Sequence, residues 1–410
     1  MTAGCSPDRS AHARRRLLVA VFSLTSTLGY VAMVQILPVV LVPIAEDLGV
    51  SRTAVAAAST VSTLVGALVA VPVGRILDRH GGRLVMTAGS VLGATAVLLW
   101  SQVTSMPMLY AAFAMIGAAL VMSTYESAFA VLVVATEPGE RDQAILAVTM
   151  IAGLATYLVY PLLGWMNGAM GWRATLMALA ATLAVISVPV HLWAVPSSRA
   201  HVTRVREREG YPIGFVLRRK RFWLLTVAFV AQAGAASAFL LLVITYLLDL
   251  GHSTVVATSV PIAVGALQIL SRLFLTTVGD RVPIARAAAF AFAVQAAGLL
   301  LLPLVGLSLP LTLLCVAAVG LGQGIAVIAR PSMLADSFGI LHFASVLAVV
   351  SVPLALARAG LPLVATWLGD WRFLVMCGVL TLVGVAALLP ILADDRRADV
   401  PAPEAPEPAH

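Results

Sequence analysis

Apolar runs of about twenty residues recur along this chain, each closed by Arg, Asp, Gly or Pro, and that recurrence decides the fold class before any motif is read. A helix needs about 20 apolar residues to cross the roughly 30 Å hydrocarbon core of a bilayer, and there every backbone N–H and C=O must be bonded inside the segment. A chain that repeats such runs folds as an all-α bundle of membrane-spanning helices. Its totals agree: 60% of the 410 residues are hydrophobic, 11% are charged and the mean hydropathy is +0.99, far from a soluble domain.

Twelve spans are expected, six over residues 17–43, 54–76, 84–104, 107–135, 144–168 and 172–194, and six over 222–248, 254–278, 286–307, 309–335, 343–367 and 371–393. Between the sixes lies a charged linker, residues 196–221, with room for a short surface helix. The expected units are therefore 14–195 and 222–393, flanked by polar or Pro-rich tails, 1–13 and 394–410, that read as disordered.

Arg and Lys in short loops mark the cytoplasmic side. With the N-terminus inside, 20 of the 26 fall there: Arg9, Arg14 to Arg16, Arg75, Arg79, Arg83, Arg141, eight in the linker from Arg199 to Arg221, then Arg281, Arg286, Arg396 and Arg397. Arg52, Arg173 and Arg372 fall opposite, and the last three lie inside spans. Both termini are expected in the cytoplasm, and the net charge of +7 is then a topology signal, with no nucleic-acid partner implied. "RRRLLVAVF" resembles a secretory signal, but its apolar run is too long and lacks a small-residue cleavage pattern, so it reads as the first span. A ratio of 25 Arg to one Lys, with abundant Ala and Val, points to a GC-rich bacterial genome and hence to the plasma membrane.

Cys5, Cys315 and Cys377 form no CxxC pair, and neither a disulfide framework nor a metal site is expected. No HExxH, GxSxG or paired membrane aspartates occur, which argues against an intramembrane enzyme, and no cofactor is expected.

The chain also repeats itself. "RRRLLVAVF" before the first span is echoed by "RRKRFWLLTVAF" before the seventh, and Asp78-Arg79 by Asp280-Arg281, 202 residues later. "PLLGWMNGAMGWR", from Pro161 to Arg173, is echoed by "PLVATWLGDWR", from Pro362 to Arg372. A nearly constant offset means two pseudo-symmetric six-helix halves, the plan of a secondary transporter with its site between them near mid-membrane.

At "GRILDRHGGR", Gly74 to Arg83, the sequence resembles the major facilitator superfamily, whose loop after the second helix carries G-x-x-x-D-R-x-G-R-R. Gly74, Asp78, Arg79, Gly81 and Arg83 match, while Gly82 replaces a basic residue. In that family the loop is a charge and helix-dipole latch favouring one face of an alternating-access cycle. The resemblance gives that role to Gly74, Asp78, Arg79 and Arg83, and in the eroded second copy, "TTVGDRVPIAR", to Asp280 and Arg281. The family's exporter pattern is incomplete in "GLATYLVYPLLG", where Tyr160 precedes Pro161. "ALQILSRLF" is similar to the monocarboxylate-transporter branch, with Arg272 present and Gln268 in place of an acid.

Ionisable groups at bilayer depth cost several kcal/mol and need a partner, a water-filled cavity or a function. Four occur: Glu126, Arg272, Arg330 and Arg358. Glu126 lies roughly 12 Å from the cytoplasmic end of its span, too deep for a short side chain to reach the surface. A carboxylate that alternates between apolar and Arg-rich surroundings takes up and releases a proton, so Glu126 is the candidate for proton coupling. Ser123, one turn earlier, is expected to share its face. The repeat offset maps Glu126 to position 328, beside Arg330, and the two charges are expected to face each other across the cavity, unless Arg330 snorkels to the surface. Arg330, Arg358 and Arg272, with Tyr157 and Tyr160 on the Gly153 face of the fifth span, are the candidate substrate-binding residues; for Arg272 a structural pair with the nearby loop stays open.

Three intramembrane cations against one anion favour an organic anion. The sequence thus reads as a proton-coupled transporter of a small organic molecule, leaning to a carboxylate and acting as a monomer in the bilayer. A drug or toxic-metabolite exporter of the same fold is the alternative, followed by a transporter-like receptor.

Overall fold

The computed structural model describes residues 7–136, 138–196, 211–278, 282–369 and 371–398. Its helices form the spans α1 (Arg15–Leu48), α2 (Arg52–His80), α3 (Gly82–Ser101), α4 (Met106–Ala135), α5 (138–170) and α6 (172–194). After a short helical turn, Ile213–Val216, follow α7 (Lys220–Asp249), α8 (Thr254–Val278), α9 (Ile284–Val305), α10 (Leu309–Phe338), α11 (Phe343–Leu368) and α12 (Arg372–Ala398). Eleven continuous stretches among the described residues are long and apolar enough to cross a membrane. The stretch Val159–Ala194 runs from one span into the next, because Gly171 at φ 79° and ψ 166° turns the rod back between α5 and α6, a conformation open essentially to glycine. The expected twelve follow. The first helix starts at Pro7 and the last runs to Ala398, so residues 7–13 and 394–398 of the expected tails are helical; Pro at a helix start forfeits no bond that the helix needs.

Three spans carry internal irregularities, one of them a π-turn over Leu183–Ser187 in α6. In α1 a π-turn covers Val31–Gln35. In α4 the helix breaks at Thr124, with φ −116° and ψ −149°, and restarts as Tyr125–Ala135. Backbone groups freed by a break inside a membrane need new partners. Here Ser127 reaches back across the break to the Val121 carbonyl at 2.7 Å, while the Ser123 and Thr124 hydroxyls donate to the Ala119 and Leu120 carbonyls ahead of it.

The two halves share a core at one end only. There a continuous apolar cluster joins Phe22, Leu77, Phe129 and Leu132 of the first half to Phe222, Phe338, Phe343 and Leu347 of the second. At the opposite end each half packs on its own, around Trp100, Phe113 and Leu176 in one and Phe239, Val243 and Phe373 in the other. The shared end carries the Arg-rich loops and is called the basic end. Outer packing of the first half is tied by Arg173, which pairs with Asp47 at 2.7 Å, donates to the Ser101 and Val103 carbonyls and lies over the Trp172 ring.

Candidate functional site

Splayed halves with one sealed end leave a central space. A cavity of about 560 Å³ opens between them, walled by α1, α2 and α4 on one side and α8, α10 and α11 on the other, with α5 contributing Thr149 and Gly153. Glu126, Arg272, Arg330 and Arg358 all line it. The break in α4 puts Glu126 in the first turn of a new helix, where the dipole favours a carboxylate. Arg330 precedes Pro331 in α10, and Arg358 is exposed into the cavity from α11.

The four charges are held differently. Arg272 is buried, and its guanidinium donates to the Thr149 carbonyl at 3.0 Å and the Gly324 carbonyl at 3.4 Å, so it ties α8 to α5 of the other half and to α10. Glu126, Arg330 and Arg358 make no side-chain hydrogen bond or ion pair among the described residues. The expected opposition of Glu126 and Arg330 takes the form of shared occupancy without a salt bridge: Arg330 lies within electrostatic reach of Glu126, Arg358 and the Tyr30 phenol.

Sequence reasoning missed part of the wall. Tyr30, Tyr125 and Phe129 line the cavity as a contiguous cluster, with ring centroids 5.0 Å apart for Tyr30 and Tyr125 and 5.6 Å for Tyr125 and Phe129. Helical spacing places Ser123 beside Glu126, but the break at Thr124 rotates the chain; Tyr125 accompanies Glu126, and Ser123 is buried on the Ala119 carbonyl. Tyr160 shares the Gly153 face but sits about 10 Å further from the seal, where the halves diverge, and is exposed off the cavity wall. The Tyr157 side chain lies outside the described residues.

The residues expected to form a latch lie at the basic end. The Asp78 carboxylate accepts the Ala344 and Ser345 N–H groups at 3.0 and 2.9 Å, capping the first turn of α11 from the opposite half. Gly74, one turn earlier, lies against Ala344 so closely that a Cβ there would be 2.7 Å from its carbonyl oxygen. Arg83 donates to the Val195 carbonyl at 2.8 Å, bracing α3 on the end of α6, while Arg79 is exposed. A further bond between halves, Arg141 to Asp336 at 2.8 Å, has no motif to announce it. Asp280 and Arg281 lie outside the described residues.

Comparison with known proteins matches residues 21–338 to the family model described as Major Facilitator Superfamily. The chain belongs to the major facilitator superfamily. Among solved structures, the human organic anion transporter MFSD10 (TETRAN) superimposes with a TM-score of 0.74 at 17% identity, covering 91% of this chain and 99% of the other. The fucose:proton symporter FucP of E. coli gives 0.72 at 12% identity, over 93% and 98% of the two chains. The proton:xylose symporter XylE gives 0.66 at 15%, over 93% and 96%. No curated protein sequence matches significantly. The transporter is thus a multi-pass membrane protein of twelve helices in two halves, with a transporter family's fold and not an enzyme's.

Proposed function

We propose that this transporter carries a small organic anion together with a proton by alternating access across the plasma membrane, with both termini cytoplasmic. One observation supports the choice of cargo: Arg330 and Arg358 face the cavity without a protein counter-ion in contact, against the single carboxylate of Glu126. Cations held at bilayer depth without a protein partner are costly, and an anionic ligand is the species that relieves them. Likeness to sugar symporters and to an organic anion transporter alike reflects the fold; the cavity charges are what favour an anion.

Coupling follows from competition. A carboxylate seated on Arg330 and Arg358 draws their field away from Glu126, whose neutral, protonated form is then favoured. Anion and proton enter together. Asp78 on the α11 terminus, Gly74 beneath it, and the bridges from Arg272 and Arg141 hold the cytoplasmic end shut meanwhile.

Uptake of monocarboxylates into proteoliposomes under an imposed pH gradient tests the reading. Glu126→Gln should abolish gradient-driven accumulation while preserving exchange of internal for external substrate. Unchanged gradient-driven accumulation in that variant refutes the role of Glu126; absence of any carboxylate uptake by the wild type, with uptake of lipophilic cations instead, refutes the anion reading.

A further inference from the structure

The two walls of the cavity are chemically unlike. The second half contributes Arg330 and Arg358, the amides of Gln268 and Gln323, and Ser351, whose buried hydroxyl has no hydrogen-bond partner. Ser351 and Arg358 stand seven positions apart in α11, two turns along one face. This wall is a donor surface suited to oxygen atoms bearing charge.

The first half contributes rings, alongside the polar side chains of Gln35, Ser62, Thr63, Thr124 and Thr149. Tyr30 and Tyr125 are half-buried, planes inclined by 56°, and Tyr125 leans on the buried Phe129 at 36°. Neither phenol is hydrogen-bonded among the described residues. The result is an angled, polarisable aromatic corner on the first-half wall, which also carries Glu126.

Each simpler ligand leaves one wall unsatisfied. A sugar hydrogen-bonds to the arginines but brings no counter-charge. A short aliphatic acid supplies the charge and leaves the rings uncovered. An aromatic cation suits the rings and is repelled by the excess positive charge. A planar ring bearing one carboxylate meets both walls, and about 560 Å³ falls within the usual range of small-ligand sites. We infer that the cargo class is an aromatic monocarboxylate, its ring on Tyr30 and Tyr125 and its carboxylate on Arg330 and Arg358 with help from the Ser351 hydroxyl. The inference rests on the anion reading above and adds the ring requirement to it.

Three probes of similar size separate the parts: benzoate, cyclohexanecarboxylate and benzamide, measured by titration against the purified full-length protein. Benzoate should bind about fivefold more tightly than cyclohexanecarboxylate, the scale of an aromatic contact, and that preference should fall to about unity in Tyr125→Leu. Tyr30→Leu provides the same test on a second helix should Tyr125→Leu fail to fold. Cyclohexanecarboxylate binding as tightly as benzoate to the wild type overturns the ring requirement and leaves the anion reading standing. Benzamide binding as tightly as benzoate overturns the anion reading and this inference together. Failure of benzoate to bind at millimolar concentration overturns the inference as well.

Discussion

Gly74→Ala is a one-methyl test of the latch. In the closed state the new Cβ would lie 2.7 Å from the Ala344 carbonyl oxygen, 3.0 Å from its carbon and 3.1 Å from the Ala348 Cβ. The first two are backbone of α11, which has no rotamer with which to give way. Relief to the 3.4 Å of ordinary contact requires α2 and α11 to part by about 0.7 Å at that point. Asp78 sits one turn beyond, and the same parting stretches its bonds to Ala344 and Ser345 from 3.0 and 2.9 Å to about 3.6 Å, where they cease to be hydrogen bonds. Losing one bond to a charged group removes about 1.5–3 kcal/mol from the closed state, and overpacking adds a similar amount. Even the lower figure moves the equilibrium between closed and open basic ends by about tenfold. Spin labels on His80→Cys and Pro283→Cys, one on each half at that end, report it by electron–electron distance measurement. Gly74→Ala should convert a dominant short distance into a mixture weighted to longer ones. A distribution superimposable on the wild type, with unchanged transport, refutes the steric reasoning.

Other perturbations bear on different parts of the molecule. Arg330→Gln and Arg358→Gln should each weaken binding of the transported anion by about 10- to 100-fold, the scale of a lost charged contact, measured by titration in detergent; equal affinity for either variant removes that residue from the site. Arg141→Ala should lengthen the basic-end distance modestly, by an effect that Asp336→Asn reproduces and that the double variant does not double; fully additive effects would show that the pair at 2.8 Å is not the coupled unit. Arg272→Met should weaken closure through the loss of the Thr149 and Gly324 bonds, seen as faster cysteine labelling of cavity positions from the basic end. Gly171→Ala should cost more than 1 kcal/mol in thermal stability, because its left-side φ of 79° admits a side chain only under strain.

Span count, symmetry and the charged members of the cavity were legible because their signals are energetic extremes: an apolar run of membrane length, and an ionisable group inside one. The expected bounds 144–168 and 172–194 fall on either side of Gly171, where the rod reverses. The break in α4 escaped because hydropathy does not register it; no Gly or Pro marks Thr124. Its trace is the set Ser123, Thr124 and Ser127, hydroxyl residues that bond nearby backbone carbonyls, Ser127 across the break itself. Tyr30 and Phe129 were invisible for the opposite reason, being ordinary apolar members of ordinary spans until the fold sets them side by side. The latch motif announced Gly74 and Asp78, but their partners, Ala344 and Ser345, contribute only backbone N–H groups, and backbone carries no sequence signature.

The apolar core that joins the halves at one end alone also has an electrical meaning. Water filling the cavity brings the potential of the far medium down to Glu126, so the membrane voltage falls across the short seal below it instead of across the whole bilayer. Each elementary charge crossing that seal feels about 2.3 kcal/mol per 100 mV although it travels only part of the membrane's thickness. A resting cell's voltage therefore acts on the gate region, where α2 meets α11, more than on the cavity in which cargo binds.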